Sequence, residues 1–136
     1  MQPYRTIIAG ARTQYAVKVS PEDYDFLMQW KWTYAVSHPM HGGLVYARRS
    51  VREGGRNVTI LMHRVIILER MGLARPSLRH FVDHANGDSL DNRRRNDAGD
   101  RQLRWLTPSE NMANQRGVRA VPAVPAFRPV MSDIPF

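Results

Sequence analysis

Residues 81–116 restrict this chain more tightly than any other segment. FVDH (81–84) is a short apolar strand that ends on an acid and an imidazole side by side, Asp83 and His84. ANGDSLDNRRRN (85–96) then supplies turn residues, the asparagines Asn86, Asn92 and Asn96, and three consecutive arginines. QLRWL (102–106) reads as a second strand. Thr107-Pro108-Ser109-Glu110 opens a capped helix through NMANQR, with Asn111 and Asn114 one turn apart on a single face. A core segment would not carry this pattern, because nearly every side chain would need a hydrogen-bond partner once buried. A plain surface loop would not need the Asp-His pair in front of it.

Composition bounds the partners. At 136 residues the chain has the size of one domain, and its formal net charge of +8 points to a polyanion. Arginine carries the bias, since Lys18 and Lys31 are the only lysines. The planar guanidinium suits phosphate oxygens and guanine edges, although a GC-rich genome also enriches arginine. There is no cysteine, which excludes disulfides, thiolate catalysis and cysteine-based zinc sites. No apolar run is long enough for a signal peptide or a membrane span, so the expected setting is cytoplasmic, with no membrane partner.

The rest of the chain reads as an N-terminal meander with helices. QYAVKV (14–19) alternates as a strand, and Ser20-Pro21-Glu22-Asp23 marks a helix start with Ser20 as N-cap, the helix running through DYDFLMQW. KWTYAV and LVYARRSV are strands separated by the loop SHPMHGG, and REGGRN turns the chain into the strand VTILM. HRVIILERM, closed by Gly72, is the second helix. The expectation is therefore an α+β chain with an N-terminal DNA-positioning region at 1–80, the strand–strand–helix unit at 81–116 and a Pro-rich tail at 117–136. The tail reads as disordered, or else as an extended arm.

Taken together, DHANGDSLDNRRRN (83–96) and LRWLTPSENMAN (103–114) resemble the His-Asn-His (HNH) endonucleases of the small phage and intron-homing type. Their pattern is DH-x-NGD-x-x-DNR-x-x-N followed by LRW-x-T-x-x-EN-x-x-N. The upstream SPEDYDFLMQWKW and LMHRVI are also similar to such proteins, so the resemblance covers most of residues 15–116. It implies a ββα-metal motif, a phage or bacterial context, and double-stranded DNA as the partner of a monomer or homodimer. It implies His84 as general base and Asp83 and Asn111 as ligands of one divalent cation. Asn96 would be the middle Asn that ties down the loop so that His84 points correctly, and Asn114 would support the cation ligands from behind or replace one of them.

The chemistry of these residue types agrees. A neutral imidazole can deprotonate water near pH 7, a role worth roughly 10²–10⁴-fold in rate. Asp and Asn are hard oxygen donors, which favours Mg²⁺ or Mn²⁺ over Zn²⁺. Because adjacent strand residues face opposite ways, Asp83 and His84 need a kink at the strand end to converge, and ANGD is positioned to supply it. One departure from the family pattern is DAGDRQ (97–102), read as a removable loop extension; a slip there would recruit Asn92 in place of Asn96.

Arg93, Arg94, Arg95 and Arg104 are candidate phosphate contacts beside the site, with Arg48 and Arg49 on the hairpin as further DNA-binding candidates. His38 and His41 read as loop residues, and His63 as structural or DNA-facing at a helix start. The three tryptophans, Trp30, Trp32 and Trp105, read as core. The alternative function from another class is a catalytically inactive HNH-fold protein that binds or regulates DNA. An RNA-binding module lacks its aromatic signature here.

Overall fold

The computed structural model describes residues 2–38 and 43–118, with side chains as far as Ala113. The loop histidine His41 and the Pro-rich tail from 119 onward lie outside the described residues. Strands β1 (Arg5–Ala9) and β2 (Tyr15–Val19) form an antiparallel pair with Ile7 opposite Val17. Helix α1 (Pro21–Leu27) begins with Pro21 in its first turn, where a missing N–H costs nothing. Ser20 stands at the N-cap position but makes no capping bond, because its Oγ accepts the backbone N–H of Arg94 at 2.9 Å. The helix also stops earlier than its apolar pattern suggests: Gln29 and Trp30 donate to Phe26 and Leu27 in tight turns, and the Trp32 indole donates to the Leu27 carbonyl at 2.8 Å.

A meander follows. Strands β3 (Thr33–Val36), β4 (Val45–Glu53) and β5 (Arg56–Leu61) are antiparallel in that order. The β4–β5 connection is Gly54-Gly55, with φ of 58° and 77°, the left-handed conformation that a two-residue hairpin turn demands. The expected second helix appears as α2 (Met62–Val65) continued by a π-helical stretch, Ile66–Arg70. Among the described residues no helix is long and apolar enough to cross a membrane.

Strand β6 (Phe81–His84) pairs antiparallel with β8 (Leu103–Leu106), and the two-residue strand β7 (Asp91–Asn92) between them runs parallel to β2. Helix α3 (Pro108–Val118) begins on a reciprocal cap: Thr107 Oγ1 accepts from the Glu110 N–H, and Glu110 Oε1 accepts from the Thr107 N–H. Two elements lack a readable signal in the sequence, β1 and β7. The chain is α+β. Ile7, Val17, Leu27, Trp32, Ala47, Met62, Ile66 and Leu103 belong to one buried cluster, so the 1–80 and 81–116 stretches share a core.

Candidate active site

Strand β6 delivers Asp83 and His84 to opposite faces. Asp83 pairs across the sheet with Arg104, and His84 with Leu103. The anticipated kink falls after His84, not between the two residues: Gly87 donates to the His84 carbonyl at 2.8 Å, with Gly87 at φ 81°. Asp83 is buried, and its Oδ2 accepts from Arg104 Nε at 3.1 Å and Nη2 at 3.0 Å. Arg104, expected to reach DNA, is thus the counter-charge of Asp83.

His84 is buried too, and its Nε2 lies 2.8 Å from Asn92 Oδ1. An amide oxygen only accepts, so Nε2 is the donor in this bond. The rings of His63 and Tyr46 flank it at centroid distances of 5.1 and 6.1 Å. His63 is itself buried, and its pKa falls well below the usual imidazole value, through burial first and then the charges of His84 and Arg64. The neighbour that sequence reasoning missed is therefore His63. Its position at a helix start gave no sign that β4 and β6 would enclose it.

The residue that binds His84 directly is Asn92. Asn96 closes a turn instead, its Oδ1 accepting from the N–H groups of Ala98 and Asp100 and its Nδ2 donating to Gln102 Oε1 at 3.2 Å. It ties down the loop without a hydrogen bond to His84. Gln102 is fully buried and is the hub of the loop. Its Nε2 donates to Asn86 Oδ1 at 2.7 Å and to the Asp91 carbonyl at 3.1 Å, while its own carbonyl accepts the Ala85 N–H. The 97–102 segment is accordingly part of the scaffold rather than an added tip.

The arginine block divides. Arg93 is 1% exposed. Its guanidinium grips Asp91 through Nε–Oδ1 at 2.8 Å and Nη2–Oδ2 at 2.7 Å, and its Nη1 donates to Asp97 and to the Gln2 carbonyl. The hydrogen bond to Asp91 pushes the Arg93 pKa above its already high ordinary value. Burial opposes ionisation of Asp91, yet the bonds from Arg93 and Asn86 hold its carboxyl below the usual range. Arg94 clamps Asp23 with bonds of 2.9 and 2.6 Å. Arg93 is corrected from phosphate contact to internal strut, because the nearby Asp91 and Asp97 take its guanidinium, and Arg94 has most of its fork committed to the sequence-distant Asp23. Arg95 is exposed, donating to the Gly99 carbonyl.

On the hairpin, Arg49 turns inward, its guanidinium 4.2 Å from the Trp30 ring centre, so it is a packing residue rather than a DNA contact. Arg48 is half-buried on the other face, donating to the Tyr34 carbonyl and to Ser50 Oγ. Trp32 is buried and Trp30 and Trp105 are partly buried against the core, as expected.

Asn111 is 3% exposed in the first turn of α3. The side chain of Asn114 lies outside the described residues. Among the described residues the buried side-chain polar atoms without a hydrogen-bond partner are Arg49 Nε, His63 Nδ1, Asn92 Nδ2 and Asn111 Nδ2. Each such orphan costs about 1–3 kcal/mol, and natural proteins keep them where they serve a purpose. Three belong to the neighbours of His84 or to the expected cation ligands. Among the described residues no three His, Cys, Asp or Glu side chains converge as a metal cluster. By residue type Asp83 and Asn111 carry hard oxygen donors of the kind Mg²⁺ takes, although the Asn111 atom left without a partner is its amide nitrogen, which is not a ligand. No family model, curated protein or solved structure matches the chain.

Proposed function

We propose that this protein is a metal-dependent DNA endonuclease of the HNH type, with residues 81–116 as its cutting unit. The observation that carries the reading is the buried His84 at the end of β6, its Nε2 2.8 Å from Asn92 Oδ1. The succession of strand, loop, strand and capped helix supports it.

His84 takes a proton from water, whose oxygen attacks the phosphorus in line. The P–O bond to the 3′ carbon's oxygen breaks, and that oxygen leaves as a hydroxyl after protonation by solvent. The products carry 5′-phosphate and 3′-hydroxyl ends. Asp83 and Asn111 would hold the divalent cation, Mg²⁺ or Mn²⁺, which when bound supplies Lewis-acid stabilisation of the charge that builds on the phosphate oxygens. Asn92 keeps the base in one tautomer, and the His63 and Tyr46 rings restrict its rotation.

Double-stranded DNA is the substrate that the net charge favours. Tyr46, Arg48, Ser50 and Arg52 alternate onto one face of β4. Arg48 and Arg52 therefore lie on the side that Tyr46 turns to the histidines. A monomer nicks one strand, and a double-strand cut takes a dimer or two events. The second reading, DNA binding without cleavage, draws on the Arg104–Asp83 pair, which occupies a ligand oxygen, and on Asp83 and His84 facing opposite ways from β6. Supercoiled plasmid incubated with Mg²⁺, Mn²⁺ or EDTA separates the two. Metal-dependent nicking that disappears in His84→Ala is the expected result, and metal-independent or absent nicking refutes the endonuclease.

A further inference from the structure

The described residues contain four close arginine–aspartate pairs whose aspartate is buried: Arg93–Asp91, Arg94–Asp23, Arg70–Asp23 and Arg104–Asp83. Arg93 meets Asp91 fork on fork, each carboxylate oxygen taking one nitrogen. Arg94 does the same with Asp23, through Nε to Oδ2 and Nη2 to Oδ1. Two-point pairing of this sort fixes geometry and resists exchange. Arg104 directs both of its bonds, Nε at 3.1 Å and Nη2 at 3.0 Å, to the single oxygen Oδ2 of Asp83. Its side chain is also 34% exposed, against 2% for Arg93 and 26% for Arg94, whereas the Asp83 side chain is 8% exposed. The carboxylate is inside and needs a counter-charge, while its partner reaches it from the surface; Arg70 is as exposed, at 33%, but its Asp23 is also gripped by Arg94.

We propose that Arg104 is an exchangeable counterion: it neutralises Asp83 while no cation is held, and a divalent cation displaces it toward the phosphates of a bound duplex. The inference rests on Asp83 being a cation ligand. A buried carboxylate stripped of compensation is strongly unfavourable, so a strand placing Asp83 inside requires a resident positive group until the metal arrives. Cross-strand register supplies it, since Arg104 lies directly opposite Asp83 on β8. A dication outcompetes a monocation at a hard oxygen, and the released guanidinium carries the same bidentate fork to phosphate. Metal and DNA then each favour the state the other prefers, which makes their binding reciprocally cooperative.

Calorimetric titration with Mn²⁺, without DNA, tests this on the native protein, Asp83→Asn and Arg104→Gln. Arg104→Gln should bind Mn²⁺ about fivefold more tightly than the native protein, the scale of a lost partly exposed ion pair. Native-like or weaker binding in Arg104→Gln, with Asp83→Asn unable to bind, overturns the counterion role and leaves Asp83 as the ligand. Absence of Mn²⁺ binding in the native protein removes both. A measurement on the native protein guards against a variant that does not fold. The Arg104 Nε–H resonance, protected in EDTA, should move and exchange faster at saturating Mg²⁺, and an unmoved resonance at saturation overturns the proposal.

Discussion

Asn92 and Asn96 illustrate how two identical amides acquire different work. Asn92 is fully buried with its oxygen on His84, whereas Asn96 spends both ends of its amide on the loop. Asn92→Ala should therefore lower kcat by roughly ten- to a hundredfold, the usual cost of losing an orienting partner, with little change in melting temperature. Asn96→Ala should chiefly lower stability; plasmid nicking and thermal melts on both variants distinguish the roles. His63 adds a pH dependence. Its pKa in the folded protein lies below the ordinary 6.5, so the unfolded chain binds the extra proton first. Its contribution is complete above about pH 6.5 and is lost as pH falls from there toward the folded value. In urea titrations at several pH values, His63→Phe should flatten the acid side of the native protein's stability curve, and an unchanged acid slope would contradict the burial of a neutral ring.

At the scale of elements, the polar loop between β6 and β8 behaves as a folded piece with its own internal partners. Arg93 holds Asp91, Asp97 and the Gln2 carbonyl, and Gln102 joins Asn86, Asp91 and Asn96. Arg93→Ala strands the buried Asp91 carboxylate and should destabilise by about 3–5 kcal/mol. Deleting 97–102 should unfold the loop and abolish cleavage, although insertion of six residues into a structureless loop would cost little. Chemical denaturation of Arg93→Ala and circular dichroism of the deletion variant check the two outcomes. A deletion that folds and cuts would return the segment to the status of an appendage.

For the whole molecule, the excess positive charge is sorted by tertiary packing into struts and free cations. Arg49, Arg93 and Arg94 are engaged internally, while Arg52 and Arg95 are exposed and Arg48 is half-buried on the Tyr46 side of its sheet. If the outward set tracks phosphates, Arg48→Gln, Arg52→Gln and Arg95→Gln should each reduce the log–log salt slope of duplex binding by about 0.9. Arg49→Gln should leave that slope unchanged. Fluorescence anisotropy across a salt series measures both, and a slope that responds to Arg49 would mean that the hairpin meets DNA with its opposite face.

The sequence by itself determined most of the elements, because their causes are local. Alternation marked β2 and the β4–β5 hairpin, Gly54-Gly55 forced its turn, and the Thr107/Glu110 cap fixed the start of α3. It also put Asp83 and His84 together at a strand end. Only the tertiary structure decided which partners these groups have. Ser20 gave up its cap to Arg94, Asp23 became the anchor of Arg70 and Arg94, and His84 received Asn92, His63 and Tyr46 as neighbours. Propensity and periodicity act over a few residues, whereas a buried polar group must find its partner wherever the fold brings one within hydrogen-bond reach. Nothing in the local sequence around Asp23 announces an arginine 71 positions later.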